Sequence, residues 1–282
     1  MTPQLLSDDL AAIADSLRQS TALIQGPTGS RGSGVVWEAS GLIVTNAHMV
    51  PQRRASVVLA NGQHLTAYRV GYSQRLDLAA LKVEGAELRP AVRGDASALR
   101  VGQLVMAVGH PQGSGGATAL GIVHAKPAIP RWVQADIALA PGYSGGPLAT
   151  LAGEVVGLNT LIADGRGYAI PTALVSRFLG AQREQPYLGI AVQPLAAIAV
   201  GGSPAWQITQ VVPGSPAATA GLVAGDRILG LNGRLFRHPG DLTDWLDCLI
   251  PDQTLTLQVG QGGQTVVCTL TVGRLPTQEQ AA

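Results

Sequence analysis

The run APGYSGGPLA, residues 140–149, decides how this chain reads. Ser144 sits among glycines, with Gly142 before it, Gly145 and Gly146 after it, and Pro147 closing the run. A stretch so poor in side chains either turns the chain or aims a hydroxyl. An attacking hydroxyl needs an exposed serine on a tight turn, an imidazole to take its proton and a carboxylate to orient that imidazole. It also needs backbone N–H groups facing the developing oxyanion. Gly142 has no side chain in the way of its N–H, and Ser144 supplies a second donor. Gly145 and Gly146 let the chain leave without crowding a substrate.

The imidazole must come from elsewhere. The five histidines are His48, His64, His110, His124 and His238. His48 ends the apolar run GLIVTNAHMV at a small-residue turn, where a ring can project from a rigid edge. His64 lies beside the Asn61-Gly62 hairpin signal, His110 precedes Pro111 in a loop, His124 falls on a strand and His238 belongs to a later unit. Taken singly, each suits a structural or surface role better than a catalytic one. For the carboxylate, Asp77 in RLDLAALKV opens an apolar strand, where a buried charge needs a partner. Asp95, in the turn GDAS, and Asp136, on the strand before the serine loop, are its rivals.

Composition supports a folded chain of more than one domain. Of 282 residues 46% are hydrophobic and 13% charged, so a sizeable core is available. With 36 Gly and 18 Pro, the balance favours turns and short strands over long helices. A net charge of +1 gives no electrostatic case for nucleic acid or an anionic membrane. Cys248 and Cys268 make neither a disulfide framework nor a zinc spacing, and read first as two buried thiols and second as one local disulfide. No metal or cofactor is expected. The acidic N-terminus does not read as a secretory signal, and no apolar run spans a bilayer. The chain as given is expected in the cytoplasm, or exported if a leader has been removed.

Residues 7–19 read as a helix capped by Ser7, with Leu10, Ile13, Ala14 and Leu17 on one stripe. It is expected to lie as a lid on the β domain. From Ala22 to about Leu179, runs such as GVVWEA, LTAYRVGY, QLVMAVG and EVVGLNTL alternate with turn residues, which suggests an antiparallel barrel or sandwich. A short helix is expected after Pro171. Five segments result: helix 1–21, a β domain 22–180, a polar linker 181–186, a second unit 187–274 and a frayed tail 275–282.

Three motifs in order, TNAHMV, RLDLAALKV and GYSGGPL, resemble the trypsin-like serine proteases. Their His, Asp, Ser order is that of the chymotrypsin class. More closely, GSGVVW, DASALRVGQLVMAVGHP and GEVVGLNT through GYAIP resemble the HtrA (Deg) branch, and YLGI with VVPGSPAATAGLVAGDRILGLNG is similar to a PDZ domain. The matches cover most of residues 22–274. The resemblance implies a mainly β fold, with two six-stranded antiparallel barrels of chymotrypsin type followed by one PDZ domain. It assigns His48, Asp77 and Ser144 as the triad, and Gly142 and Ser144 as oxyanion donors. Tyr143 departs from the pattern, because the family usually has Asn or Asp there.

By the same resemblance Ala138 falls at the base of the primary specificity pocket and Leu161 and Ile162 line its wall. Such a pocket takes small or medium aliphatic side chains, although these residues also suit barrel core. In the PDZ domain, Tyr187, Leu188, Gly189 and Ile190 match the segment that receives a peptide carboxylate. Leu242 and Leu246 could face the groove or the core. The implied activity is a serine endopeptidase acting on unfolded or misfolded polypeptide in protein quality control, with peptide C-termini held by the PDZ domain and a homotrimeric assembly. Two other readings remain: a silent peptide-binding protein that keeps the fold, and an esterase with the same triad.

Overall fold

Short β-branched runs become strands that close on themselves twice. The computed structural model describes residues 3–26, 29–85, 87–113, 115–125, 131–180, 186–195, 204–238, 240–247, 249 and 251–274. The chain divides into two units, Met1–Leu179 and Gly180–Ala282.

The first unit opens with α1 (Pro3–Gln19). The sequence reading began this helix at Ser7, but it starts earlier, at Pro3, and Ser7 lies exposed within it. A proline fits the first turn, where its missing N–H has no intrahelical acceptor. Ala14 and Leu17 are buried, while Leu10 and Ile13 are half-buried. Arg18 donates from Nε to the Gly116 carbonyl at 2.6 Å, so the helix docks on the barrels.

Six strands form the first barrel: β1 (Thr21–Gln25), β2 (Arg31–Glu38), β3 (Leu42–Thr45), β4 (Arg54–Val58), β5 (His64–Ser73) and β6 (Leu78–Lys82). The order is β1-β2-β3-β6-β5-β4, closed by antiparallel pairing of β1 with β4. Its core gathers Ile24, Val36, Ile43, Val57 and Leu81. Fully burying a side chain of this size contributes about 1.5–3 kcal/mol. Closure leaves no sheet edge exposed, which frees the connecting loops to carry function.

The second barrel repeats the plan with β7 (Leu104–Gly109), β8 (Ala117–Ala125), β9 (Val133–Ile137), β10 (Pro147–Thr150), β11 (Val155–Ala163) and β12 (Arg166–Pro171). Its order is β10-β11-β12-β9-β8-β7, closed by β10 on β7. Val105, Val123, Ala135, Leu148 and Val156 fill it. The expected helix after Pro171 is α2 (Thr172–Gly180).

The second unit holds β13 (Pro186–Tyr187), β14 (Ile190–Leu195), β15 (Ala205–Val211), α3 (Pro216–Thr219), β16 (Arg227–Leu231), β17 (Arg234–Leu235), α4 (Asp241–Asp247), β18 (Thr254–Gln261), β19 (Gln264–Thr271) and β20 (Gly273–Arg274). Its main sheet runs β14-β15-β16-β18-β19, and β17 pairs with β16. Ser215 caps α3 by accepting from the Ala218 N–H. Trp206 and Phe236 meet edge to face with centroids 5.0 Å apart. Cys268 is a free, half-buried thiol on β19. Cys248, residues 181–185 of the expected linker and the tail 275–282 lie outside the described residues. Among the described residues no helix is long and apolar enough to cross a membrane.

Candidate active site

His48 lies in the single helical turn Ala47–Met49 that follows β3, and Asp77 immediately precedes β6. Strands β3 and β6 are neighbours, so their ends bring these residues together across 29 positions of sequence. The His48 ring nitrogen Nδ1 lies 2.9 Å from both Asp77 carboxylate oxygens. The His48 backbone N–H donates to Asp77 Oδ1 at 3.1 Å. Carboxylate oxygens only accept, so Nδ1 carries a proton and Nε2 is left free to act as base.

Asp77 is held in an uncommon backbone state, with φ +53°. A left-handed residue other than glycine costs about 1–2 kcal/mol. Two donors grip its carbonyl in compensation: Asn46 Nδ2 at 3.0 Å and the Ala47 N–H at 3.1 Å. Burial by itself would raise the Asp77 carboxyl. Hydrogen bonds from the His48 ring, the Thr160 hydroxyl and the His48 backbone N–H outweigh it, and the carboxyl sits below its ordinary value. Asp77 is therefore an anion at neutral pH. Thr160 Oγ1 donates to Asp77 Oδ2 at 2.6 Å. Sequence reading missed Thr160, since nothing in GLNT distinguishes it from a core strand residue.

The rival groups lie elsewhere. Asp136 is exposed on β9, and Asp95 accepts from the Ser97 N–H, capping its own turn. His64, His124 and His238 are exposed. His110 is buried in a way its loop position did not indicate.

Three amides of the serine loop between β9 and β10 find carbonyl acceptors. Tyr143 N–H donates to Ala140 O, Gly145 N–H to Asn159 O and Gly146 N–H to Tyr143 O. The N–H groups of Gly142 and Ser144 have no protein acceptor among the described residues. These are the two expected oxyanion donors. Gly142 has φ +112°, and a Cβ there would lie 2.5 Å from Pro111 Cα and 2.6 Å from the His110 carbonyl oxygen. Only glycine fits this approach. Ser144 is half-buried, and its Oγ donates to the Thr160 carbonyl at 3.3 Å rather than to His48.

Beside Ser144 opens a cavity of about 190 Å³, lined by Leu139, Ala140, Pro141, Tyr143, Asn159, Thr160, Leu161 and Ile162. Leu161 and Ile162 thus border it, as expected. Ala138 is exposed and lies outside its lining, where Leu139 and Ala140 stand instead. None of the lining side chains is charged. Tyr143 is 6% exposed, its ring packed over Gly109 in the second-barrel core. Burial raises its phenol above the ordinary value, so it stays neutral.

In the second unit, a separate cavity of about 270 Å³ is lined by Tyr187, Leu188, Gly189, Ile190, Leu242 and Leu246, with Ala191, Val192, Gln210 and Val212. All six groove residues expected from sequence meet there. Leu242 and Trp245 are buried and Leu246 is half-buried. No group of three or more His, Cys, Asp and Glu gathers to hold a metal among the described residues.

Comparison with known proteins agrees with both units. Residues 32–158 match the trypsin-like peptidase domain and residues 207–259 the PDZ domain. The chain is 31% identical over 276 residues to a probable periplasmic serine endoprotease, DegP-like, of Chlamydia trachomatis, covering 88% of this chain and 55% of that protein. A protein of the same description in Pseudomonas savastanoi is 35% identical over 279 residues, covering 91% and 58%. The chain thus spans a little over half the length of these curated relatives. Among solved structures, the HtrA-type protease AlgW with a decapeptide aligns with TM-score 0.63 at 25% identity, covering 95% of this chain and 99% of that one. The serine endoprotease from Yersinia pestis aligns with TM-score 0.62 at 27% identity, covering 94% and 98%. Barrel topology, the order of the motifs and the attached domain converge on one assignment: the chain is a trypsin-like peptidase domain joined to a PDZ domain, and is similar to the HtrA (DegP-like) serine proteases.

Proposed function

We propose that this chain is a serine endopeptidase that cleaves unfolded or misfolded polypeptide, with Ser144, His48 and Asp77 as its catalytic residues. The observation that carries the reading is the paired contact of His48 Nδ1 with an ionised Asp77, which is joined through Thr160 to the Ser144 hydroxyl. Ser144 Oγ attacks the scissile carbonyl while His48 Nε2 takes its proton. Asp77 fixes the imidazole tautomer and stabilises the imidazolium. The N–H groups of Gly142 and Ser144 receive the oxyanion. His48 then gives its proton to the leaving amine, and water releases the acyl-enzyme by the reverse use of the same groups.

The uncharged cavity beside Ser144 favours cleavage after Val, Ile, Ala or similar residues, with about 1–3 kcal/mol of discrimination per methylene. The groove of the second unit takes peptide C-termini by strand addition, its apolar lining receiving the terminal side chain. We read the peptidase domain as 22–180 and the PDZ domain as 187–274, joined by 181–186. A homotrimer and an extracytoplasmic location belong to the same reading, the second supported by relatives described as periplasmic, and light scattering and cell fractionation test them.

The deciding experiment is casein digestion with mapped cleavage sites, wild type beside Ser144→Ala, with fluorophosphonate labelling in parallel. Labelling and cleavage lost in the variant support the protease. Labelling that survives Ser144→Ala, or folded wild type that never labels, overturns it. Ester turnover with intact casein supports the esterase instead.

A further inference from the structure

Ser33, on β2 of the first barrel, is fully buried and touches both residues that present the oxyanion donors. Its backbone N–H donates to the Ser144 carbonyl at 2.8 Å. Its hydroxyl donates to the Gly142 carbonyl at 2.8 Å. The same hydroxyl lies 3.0 Å from the His110 backbone nitrogen and 3.1 Å from His110 Nδ1. Thr45 Oγ1 in turn donates to the Ser33 carbonyl at 2.7 Å, tying this point to β3, which leads to His48.

A serine hydroxyl has one proton and two lone pairs. The Gly142 carbonyl can only accept and the His110 backbone N–H can only donate. If the hydroxyl proton goes to Gly142, His110 Nδ1 must carry a proton and donate to Ser33. In the other tautomer Nδ1 accepts, takes the hydroxyl proton and leaves Gly142 without this anchor. Burial lowers His110 to about 4, so at neutral pH the ring is uncharged and carries a single proton. Its tautomer therefore sets the direction of the Ser33 hydroxyl.

We infer that Ser33 is a positioning residue for the oxyanion hole, its hydroxyl held on the Gly142 carbonyl by His110 in the Nδ1–H tautomer. The Gly142 carbonyl has one other donor, the His110 N–H at 3.1 Å. Gly142 has no side chain to wedge it in place, so these bonds hold the residue while its own N–H stays open to substrate. The inference rests on the protease reading.

Removing one oxyanion donor outright lowers kcat by about 10²–10³-fold. Ser33→Ala leaves both donors and removes one of two carbonyl anchors, so kcat on a small apolar peptide ester is expected to fall about tenfold. KM should stay within about twofold, and affinity for a peptide boronate, which places an oxygen in the hole, should fall with kcat. Unchanged kcat and boronate affinity overturn the inference, as does a loss confined to KM. A second arm needs no variant at Ser33: the ¹⁵N spectrum of histidine-labelled Ser144→Ala protein at neutral pH. A protonated, pyrrole-type Nδ1 at His110 is expected, and a pyridine-type Nδ1 overturns the inference even if Ser33→Ala fails to fold. Wild type that neither hydrolyses the ester nor labels with fluorophosphonate refutes the protease reading, while the spectrum still decides the anchor.

Discussion

Thr160 Oγ1 donates to Asp77 Oδ2 at 2.6 Å, on the carboxylate whose oxygens also face His48. The bond crosses from a strand of the second barrel to the edge of the first, so the anion of the proposed triad is supported by both barrels. A hydrogen bond to a charged group contributes about 1.5–3 kcal/mol. Thr160→Val is therefore expected to lower kcat/KM by about ten- to a hundredfold. The sign of the pH effect follows. The bond favours the anion, so its loss raises the Asp77 carboxyl, and the titration of that carboxyl, followed by carbon NMR of labelled protein, moves to higher pH. A carboxyl titrating at unchanged pH counts against this support.

Stability should also record His110. Its folded value is lowered from 6.5 to about 4 by burial, so between those values the unfolded chain binds the extra proton. Stability then rises with pH across this window. The contribution is complete above about 6.5, shrinks as pH falls towards 4 and is constant below it. Its full size is at most about 3 kcal/mol, from 1.36 kcal/mol per unit of difference. Denaturant unfolding of Ser144→Ala from pH 4 to 7 should show the slope, and adding His110→Asn should flatten it.

Gly142→Ala tests the donor geometry directly. The methyl would press on the backbone of His110 and Pro111, at a φ that disfavours any side chain. The loop must shift and take the Gly142 N–H with it. A kcat loss of about a hundredfold or more is expected, with fluorophosphonate labelling slowed alike. An active variant with ordinary kcat removes Gly142 from the hole.

In the second unit, Leu246 borders the groove and is only half-buried, so it can be changed with less risk to the core than Leu242. Leu246→Asp should weaken binding of a fluorescent peptide with an apolar C-terminal residue at least tenfold, about 1.4 kcal/mol. Anisotropy titration reads this. Equal affinity in wild type and variant places peptide binding elsewhere.

Tyr143 is the residue that departs most visibly from the family pattern, and the fold accommodates it by packing its ring over Gly109. Tyr143→Ala leaves a cavity in the second-barrel core, with a cost of about 3–5 kcal/mol expected from large aromatic truncations. Thermal melting of the variant checks this.

Much of the architecture was legible because it rests on local chemistry. Apolar runs between glycine and proline turns specify short antiparallel strands, whichever sheet they join. The glycines around Ser144 mark a loop that must approach other backbone closely. Helix α1 was found but started too late, because Ser7 is a good cap by composition and Pro3 an equally valid first residue. Ala138 falls at the pocket base by resemblance, whereas it lies exposed and outside the lining, which Leu139 and Ala140 provide instead.

What the sequence determined alone was the order of strands, the turn that carries Ser144 and a short set of groups able to act as base and orienting acid. Choosing among them needed contacts between residues far apart in the chain. Asp77 prevailed over Asp136 because the pairing of β3 with β6 carries it to His48. Thr160, Ser33 and His110 gained their parts only when two barrels closed against one another, since a buried hydroxyl or imidazole has no role until burial supplies its partners.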